Sequence, residues 1–161
     1  MDFKISCLIF IRNSEDEILL LKRLKSPNQG FWSPPGGKLK MNEGESPYEC
    51  AIREAKEETG MDIVDKDLSI FGYVSEKAYE NSCHWLMFLF DCHKIISEKP
   101  KDFNEGTFAF FSRKEIGSLN IPSTDNQLVW PLYDKRKHSF WGINADCSNP
   151  ASPKIKIEAG E

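Results

Sequence analysis

The segment GESPYECAIREAKEETG, residues 44–60, prescribes one helix from end to end. Ser46 offers a capping hydroxyl, Pro47 takes the first helical position, where a missing N–H costs nothing, and Glu49 completes a capping box. Gly60 is a natural stop, because glycine enters the left-handed region freely. Between these ends Tyr48, Ala51, Ile52 and Ala55 recur at spacings of three and four, which predicts an apolar stripe facing a core. The stripe decides where the acids point. Glu54, Glu57 and Glu58 converge over one turn on the opposite side, facing solvent, where like charges repel by about 0.2–0.5 kcal/mol per pair. A solvated face on which Arg53 balances Glu57 is the ordinary account of such a surface.

The preceding loop argues for more than that. In FWSPPGGK, residues 31–38, prolines and paired glycines set a backbone suited to close approach. Taken together, GGKLKMNEGES and REAKEETG resemble the signature of the Nudix hydrolases: Gly, a spacer, Glu, seven residues, then Arg-Glu-x-x-Glu-Glu-x-Gly. Glu45, Arg53, Glu54, Glu57, Glu58 and Gly60 agree in identity and spacing. Gly37 lies two residues further from Glu45 than the pattern has it. Taking Glu43 as the first acid would restore that spacing but leave nine residues before Arg53. The extra pair is therefore expected in the loop at residues 40–44, ahead of an intact helix.

The resemblance implies an α+β fold, a Nudix-type alpha-beta-alpha sandwich with a mixed sheet, as a single domain over residues 1–161. It implies a metal-dependent pyrophosphohydrolase that cleaves a nucleoside diphosphate linked to another group, with magnesium or manganese as cofactor. Carried over by position, Glu54, Glu57 and Glu58 ligate metal, Gly37 adds its carbonyl, and Arg53 orients a glutamate. Many relatives add one distant acid, and Glu105 in Asn104-Glu105-Gly106 stands in the matching place. Its plain alternative is an exposed turn. Arg23 is a candidate phosphate contact by guanidinium geometry, or a surface charge.

Outside that signature, GFWSPPGGK and WPLYDKRKHSFWG resemble segments of MutT-like purine nucleoside triphosphatases that remove oxidised nucleotides. Some of those enzymes have Asn where this chain has Ser33, and paired acids where it has Thr124-Asp125. Ser33, Asp125 and Trp130 are therefore the candidate base contacts, with a purine nucleoside triphosphate as the leading substrate. Tyr79 fits the position of a tyrosine typical of dinucleoside polyphosphate hydrolases, and the proline usual in ADP-ribose hydrolases is missing. Both remain alternative substrates, and a non-catalytic nucleotide sensor is the alternative of another class. Trp32, Trp85 and Trp130 can stack a base, although large aromatics more often fill cores.

The net charge of -4 argues against a nucleic-acid polymer as partner. It leaves a nucleotide open, since a bound cation reverses the sign of a carboxylate site. The opening MDFKISCLIFIRN has too short an apolar run for a membrane span and an acid where a signal peptide has a base, so a cytoplasmic protein is expected. Five cysteines without a C-x-x-C suggest reduced thiols. Cys83-His84 and Cys92-His93 stand at opposite ends of a strand-like run, about 30 Å apart by strand rise, too far for one zinc ion. The oligomeric state stays open.

Strands are expected at residues 4–11, 18–24, 68–76, 85–92 and 107–112, with a final pair at 140–145 and 154–158. A helical turn is expected at 114–119. Thr124 is expected to cap a second helix over 125–137, kinked at Pro131.

Overall fold

The computed structural model describes residues 1–26 and 28–160. Among the described residues nine strands and four α-helices follow one another along the chain: β1 (Phe3–Phe10), β2 (Ile18–Arg23), β3 (Trp32–Ser33), β4 (Gly36–Lys38), α1 (Pro47–Thr59), β5 (Leu68–Tyr79), β6 (Cys83–Cys92), β7 (Gly106–Phe111), α2 (Arg113–Ile116), α3 (Ser123–Leu128), α4 (Trp130–Asp134), β8 (Trp141–Asp146) and β9 (Lys154–Ala159). A six-stranded mixed sheet runs β4-β1-β6-β5-β8-β9, and a second sheet runs β3-β2-β7. β1 lies parallel to β6 and β5 to β8, while the other neighbours are antiparallel.

Side-chain alternation along β1 explains the layering. Cys7 and Ile9 join the core cluster that includes Cys50, Ala51 and Ala55 of α1. Phe10, one step out of phase, joins the opposite cluster with Trp130 and Tyr133 of α4. A strand buried on both faces must be sandwiched between helices, and this one is. Among the described residues no helix is long and apolar enough to cross a membrane.

Three features differ from the sequence expectation. The loop at residues 31–38 contains two short strands, β3 and β4, the second pairing Gly36 and Gly37 with Leu8 and Cys7. The helix expected at 125–137 is two pieces that break at Val129. Pro131 sits in the first turn of α4, where no N–H is required, so it begins a helix rather than bending one. Thr124 lies inside α3, which follows Pro122 and has no side-chain cap.

Candidate active site

α1 forms as its sequence prescribes. Ser46 Oγ accepts from the Glu49 N–H at 3.1 Å, and the Glu49 carboxylate accepts from the Ser46 N–H at 3.0 Å. Gly60 closes the helix at φ 77° with its N–H on the Lys56 carbonyl. The loop at residues 40–44, where the two extra residues are expected, contains a 3-10 turn at Met41–Glu43, all exposed, and the chain turns back at Gly44 with φ 65°.

Arg53 is the hub of the acidic turn. Its guanidinium donates to both oxygens of Glu45 at 2.6 and 2.8 Å, to Glu54 at 2.9 Å, to Glu57 at 3.2 Å and to the Lys38 carbonyl at 3.1 Å. The Glu45 carboxylate also accepts from the Lys40 N–H. The Arg53 hydrogen bonds hold Glu45 down at about 2, and the same partners raise Arg53. Glu45 therefore ties the start of the helix to the loop carrying Gly37.

Glu45→Gln is expected to cost about 1–2 kcal/mol of stability at pH 7 through the lost charge-assisted pair. A depressed carboxyl stabilises above its unfolded value, so the gap between variant and parent should close as pH falls from about 4.5 toward 2. Thermal melts at pH 7, 4.5 and 3 measure this, and a gap independent of pH would refute the ion pair's role.

The solvent-facing expectation fails for Glu58, which is buried at 9% exposure with its carboxylate accepting the Gly36 N–H at 2.8 Å. Burial pushes it up to about 8, with the charges of Glu54 and Glu105 adding and the Gly36 N–H and Arg23 opposing. Burial also raises Glu54, against the pull of Arg53. Gly37 faces Glu54 so closely that a Cβ there would lie 2.3 Å from Glu54 Oε1.

These groups line a pocket of about 520 Å³. It brings together Gly37, Arg53, Glu54, Glu58, Glu105, Arg23, Ser33 and Asp125 of the residues expected from sequence. Glu57 is not among them: its half-exposed side chain lies outside the wall, held by Arg53. Among the described residues no group of three acids, histidines or cysteines converges into a metal cage. Trp130 is corrected outright. It is 1% exposed, packed edge-on against Phe10 and Tyr133, and cannot stack on a ligand.

Trp85 lines the pocket instead, its indole N–H donating to Ser6 Oγ at 2.8 Å, and Tyr79 meets it edge-on. Glu76 went unnoticed in the sequence, yet it lines the same pocket at 3% exposure. Its signal was available, because it continues the inward alternation after Gly72 and Val74 of β5, where an apolar residue belongs. Another cavity, of about 730 Å³, opens around Arg12, Asp91 and Arg136. Its charges already pair, Arg12 with Asp91 at 2.6 Å and Arg136 with Asp91 at 3.5 Å, and it holds none of the α1 acids.

The NUDIX domain profile matches residues 2–130. An uncharacterized Nudix hydrolase, YvcI, of Bacillus subtilis (strain 168) is 28% identical over 120 residues, 74% of this chain and 73% of that protein. An ADP-ribose pyrophosphatase of Methanocaldococcus jannaschii is 34% identical over 109 residues, 68% of this chain and 62% of its own length. Among solved structures, the MutT protein of Bacillus halodurans superposes with a TM-score of 0.74 at 22% identity, covering 98% of this chain and 99% of that one.

Proposed function

Because the chain belongs to the Nudix hydrolases, as a MutT-like pyrophosphohydrolase, we propose that it converts a purine nucleoside triphosphate, normal or oxidised, to the monophosphate and pyrophosphate. One observation supports this reading: a single pocket is lined by the α1 acids Glu54 and Glu58 and by Arg23, together with Trp85, Tyr79, Ser33 and Asp125. One cavity thus offers charged groups suited to phosphates and aromatic and polar groups suited to a base.

Nudix hydrolases use divalent metal ions, and the donors here fit a hard cation such as magnesium. All are oxygens, Gly37 leaves no room for a side chain between its backbone and Glu54, and burial disfavours the charged form of Glu58, which a cation would restore. Glu54, Glu58 and the Gly37 carbonyl would hold the ion, with Glu57 at the rim. Held there, a divalent cation would supply charge to polarise the diphosphate and to lower the pKa of water. Arg53 positions Glu54 through its 2.9 Å bond and keeps it from swinging toward solvent. Glu105, exposed and acting electrostatically on Glu54 and Glu58, would accept a proton from attacking water. Arg23 compensates charge near Glu58 and faces the phosphate path.

The ADP-ribose alternative draws support from the 34%-identical archaeal relative. A screen of the purified protein against purine nucleoside triphosphates, their oxidised forms, dinucleoside polyphosphates and ADP-ribose, with and without magnesium, separates the readings. Pyrophosphate release from a triphosphate at the highest kcat/KM is the expected result. Faster cleavage of ADP-ribose or a dinucleoside polyphosphate would overturn it.

The exposed turn at Met41–Glu43 should be dispensable. Deleting Met41 and Asn42 is expected to leave magnesium-dependent hydrolysis largely in place, because both are exposed and the hydrogen bonds that tie Glu45 to Arg53 and to the loop run through Lys38 and Lys40 instead. A folded deletion variant that no longer responds to magnesium would make the turn part of the site.

A further inference from the structure

We propose that the cavity of about 730 Å³ around Arg12, Asp91 and Arg136 is a second ligand site, for a small phosphate ester whose dianionic head meets Arg136, Lys137 and Arg12 and whose carbon body lies against Phe140 and Ile95. It holds whichever substrate the first pocket cleaves. The two cavities share no lining residue. They sit toward opposite ends of the same strands: Asp91 of β6 lines this one and Trp85 of β6 the other, about 20 Å apart by strand rise.

The charges gathered here do not cancel. Arg12 follows β1, and Arg136 and Lys137 follow α4. Against these three cations the lining offers two carboxylates, Asp16 and Asp91, so with both of its histidines neutral the cavity keeps a positive charge, in a chain whose net charge is -4. A recess lined by one sign of charge draws small ions of the other.

The pairing is unequal as well. Asp91 is buried and serves two guanidiniums, 2.6 Å from Arg12 Nη2 and 3.5 Å from Arg136 Nε. Arg12 is well held: it also donates to the Tyr133 hydroxyl at 3.3 Å and to the Cys92 carbonyl at 3.1 Å, and its Nε lies 3.7 Å from Asp16. Arg136 is not. Its Nη1 donates to the Tyr133 carbonyl at 3.1 Å and its Cζ lies 4.1 Å from the Tyr133 ring centroid, which fixes the plane of the guanidinium. Among the described residues its enclosed Nε makes no hydrogen bond and its Nη2 donates none. A cation that is largely desolvated and short of acceptors gains from an anion that supplies them. Lys137 beside it is exposed and, among the described residues, pairs with no acid.

The rest of the lining narrows the class of anion. One guanidinium fork satisfies the two oxygens of a carboxylate, whereas donors here come from Arg136 and Lys137 after α4 and from Arg12 and the exposed Ser14 after β1. Several donors on two connections suit the three oxygens and double charge of a phosphomonoester. Phe140 and Ile95, both half exposed, add apolar surface to the same cavity. Its volume is on the scale of a small-molecule pocket and leaves room for more than an inorganic ion.

Phenyl phosphate, inorganic phosphate and benzoate separate head from body. Each is titrated into the full chain in chelator, with backbone amide shifts locating the site and calorimetry measuring the affinity. Phenyl phosphate is expected to move the amides of residues 12–14 and 136–140 and to bind more tightly than either control, with inorganic phosphate moving the same amides. Lys137→Glu should weaken phenyl phosphate by about tenfold, the scale of a reversed charge beside a dianion. Arg136→Gln should abolish the shifts, and where the lost stack on Tyr133 unfolds that variant, Lys137→Glu decides. Four results would each overturn the proposal: shifts confined to the amides around Gly37, Glu76 and Trp85, no binding at millimolar concentration, either control binding as tightly as phenyl phosphate, or undiminished affinity in folded Lys137→Glu.

Discussion

Glu58→Gln is expected to lower kcat on the order of 10³-fold while the protein stays folded, because the ion it would help to hold supplies several kcal/mol of charge stabilisation in the transition state. Glutamine keeps an oxygen for the Gly36 N–H, now at 2.8 Å from the carboxylate, so β4 keeps its anchor on α1. What disappears is the charge, in the most buried carboxylate of the helix. The stability effect has the opposite sign. With the folded carboxyl pushed up to about 8, its neutral form stabilises at low pH, and that contribution is lost as pH rises from about 4.5 through 8. Without metal, the variant should therefore gain stability over the parent toward alkaline pH, on the order of 2 kcal/mol by pH 9. Melts in chelator at pH 5 and 9, alongside turnover with magnesium, check both halves. Undiminished activity, or a variant that fails to fold, would remove Glu58 from the site.

The second large effect separates two adjacent glycines. A Cβ on Gly36 would stand 2.0 Å from the Cys7 carbonyl oxygen and 3.1 Å from Leu8 Cα, all backbone of the neighbouring strand with no means of yielding. Gly36→Ala should therefore part β4 from β1 and cost about 3 kcal/mol or more. A Cβ on Gly37 meets the carboxyl end of the Glu54 side chain at 2.3–3.0 Å, which can swing away. Gly37→Ala should fold nearly as well as the parent but displace Glu54 from Arg53, costing about 10²-fold in kcat/KM, the scale of a misplacement near 1 Å. Denaturant melts with kinetics on both variants show the contrast. Equal destabilisation by the two, or full activity in Gly37→Ala, would contradict the geometry.

Much of α1 is legible in its own residues. Ser46, Pro47, Glu49 and Gly60 act on groups within four positions, through local hydrogen bonds and backbone stereochemistry that hold in almost any surroundings. The same locality made most strands readable, since alternation and turn residues are written into adjacent positions. The spacing of Glu45, Arg53, Glu54, Glu57, Glu58 and Gly60 identified the family without any knowledge of the sheet order.

Other features depended on distant partners. Glu58 shares its helical turn with the exposed Glu57, and it is buried because the Gly36 N–H, twenty-two positions earlier, folds back over it. Trp130 read as a stacking surface until Phe10 and Tyr133 enclosed it. Glu76 read as a strand end until Asp125, forty-nine residues later, came to face the same cavity. Capping, turns and alternation were thus determined by the sequence alone, because their energies act between neighbours in the chain. Burial, the pocket and the protonation of its acids were decided by the tertiary structure, because desolvation depends on everything packed around a group, wherever in the chain it originates.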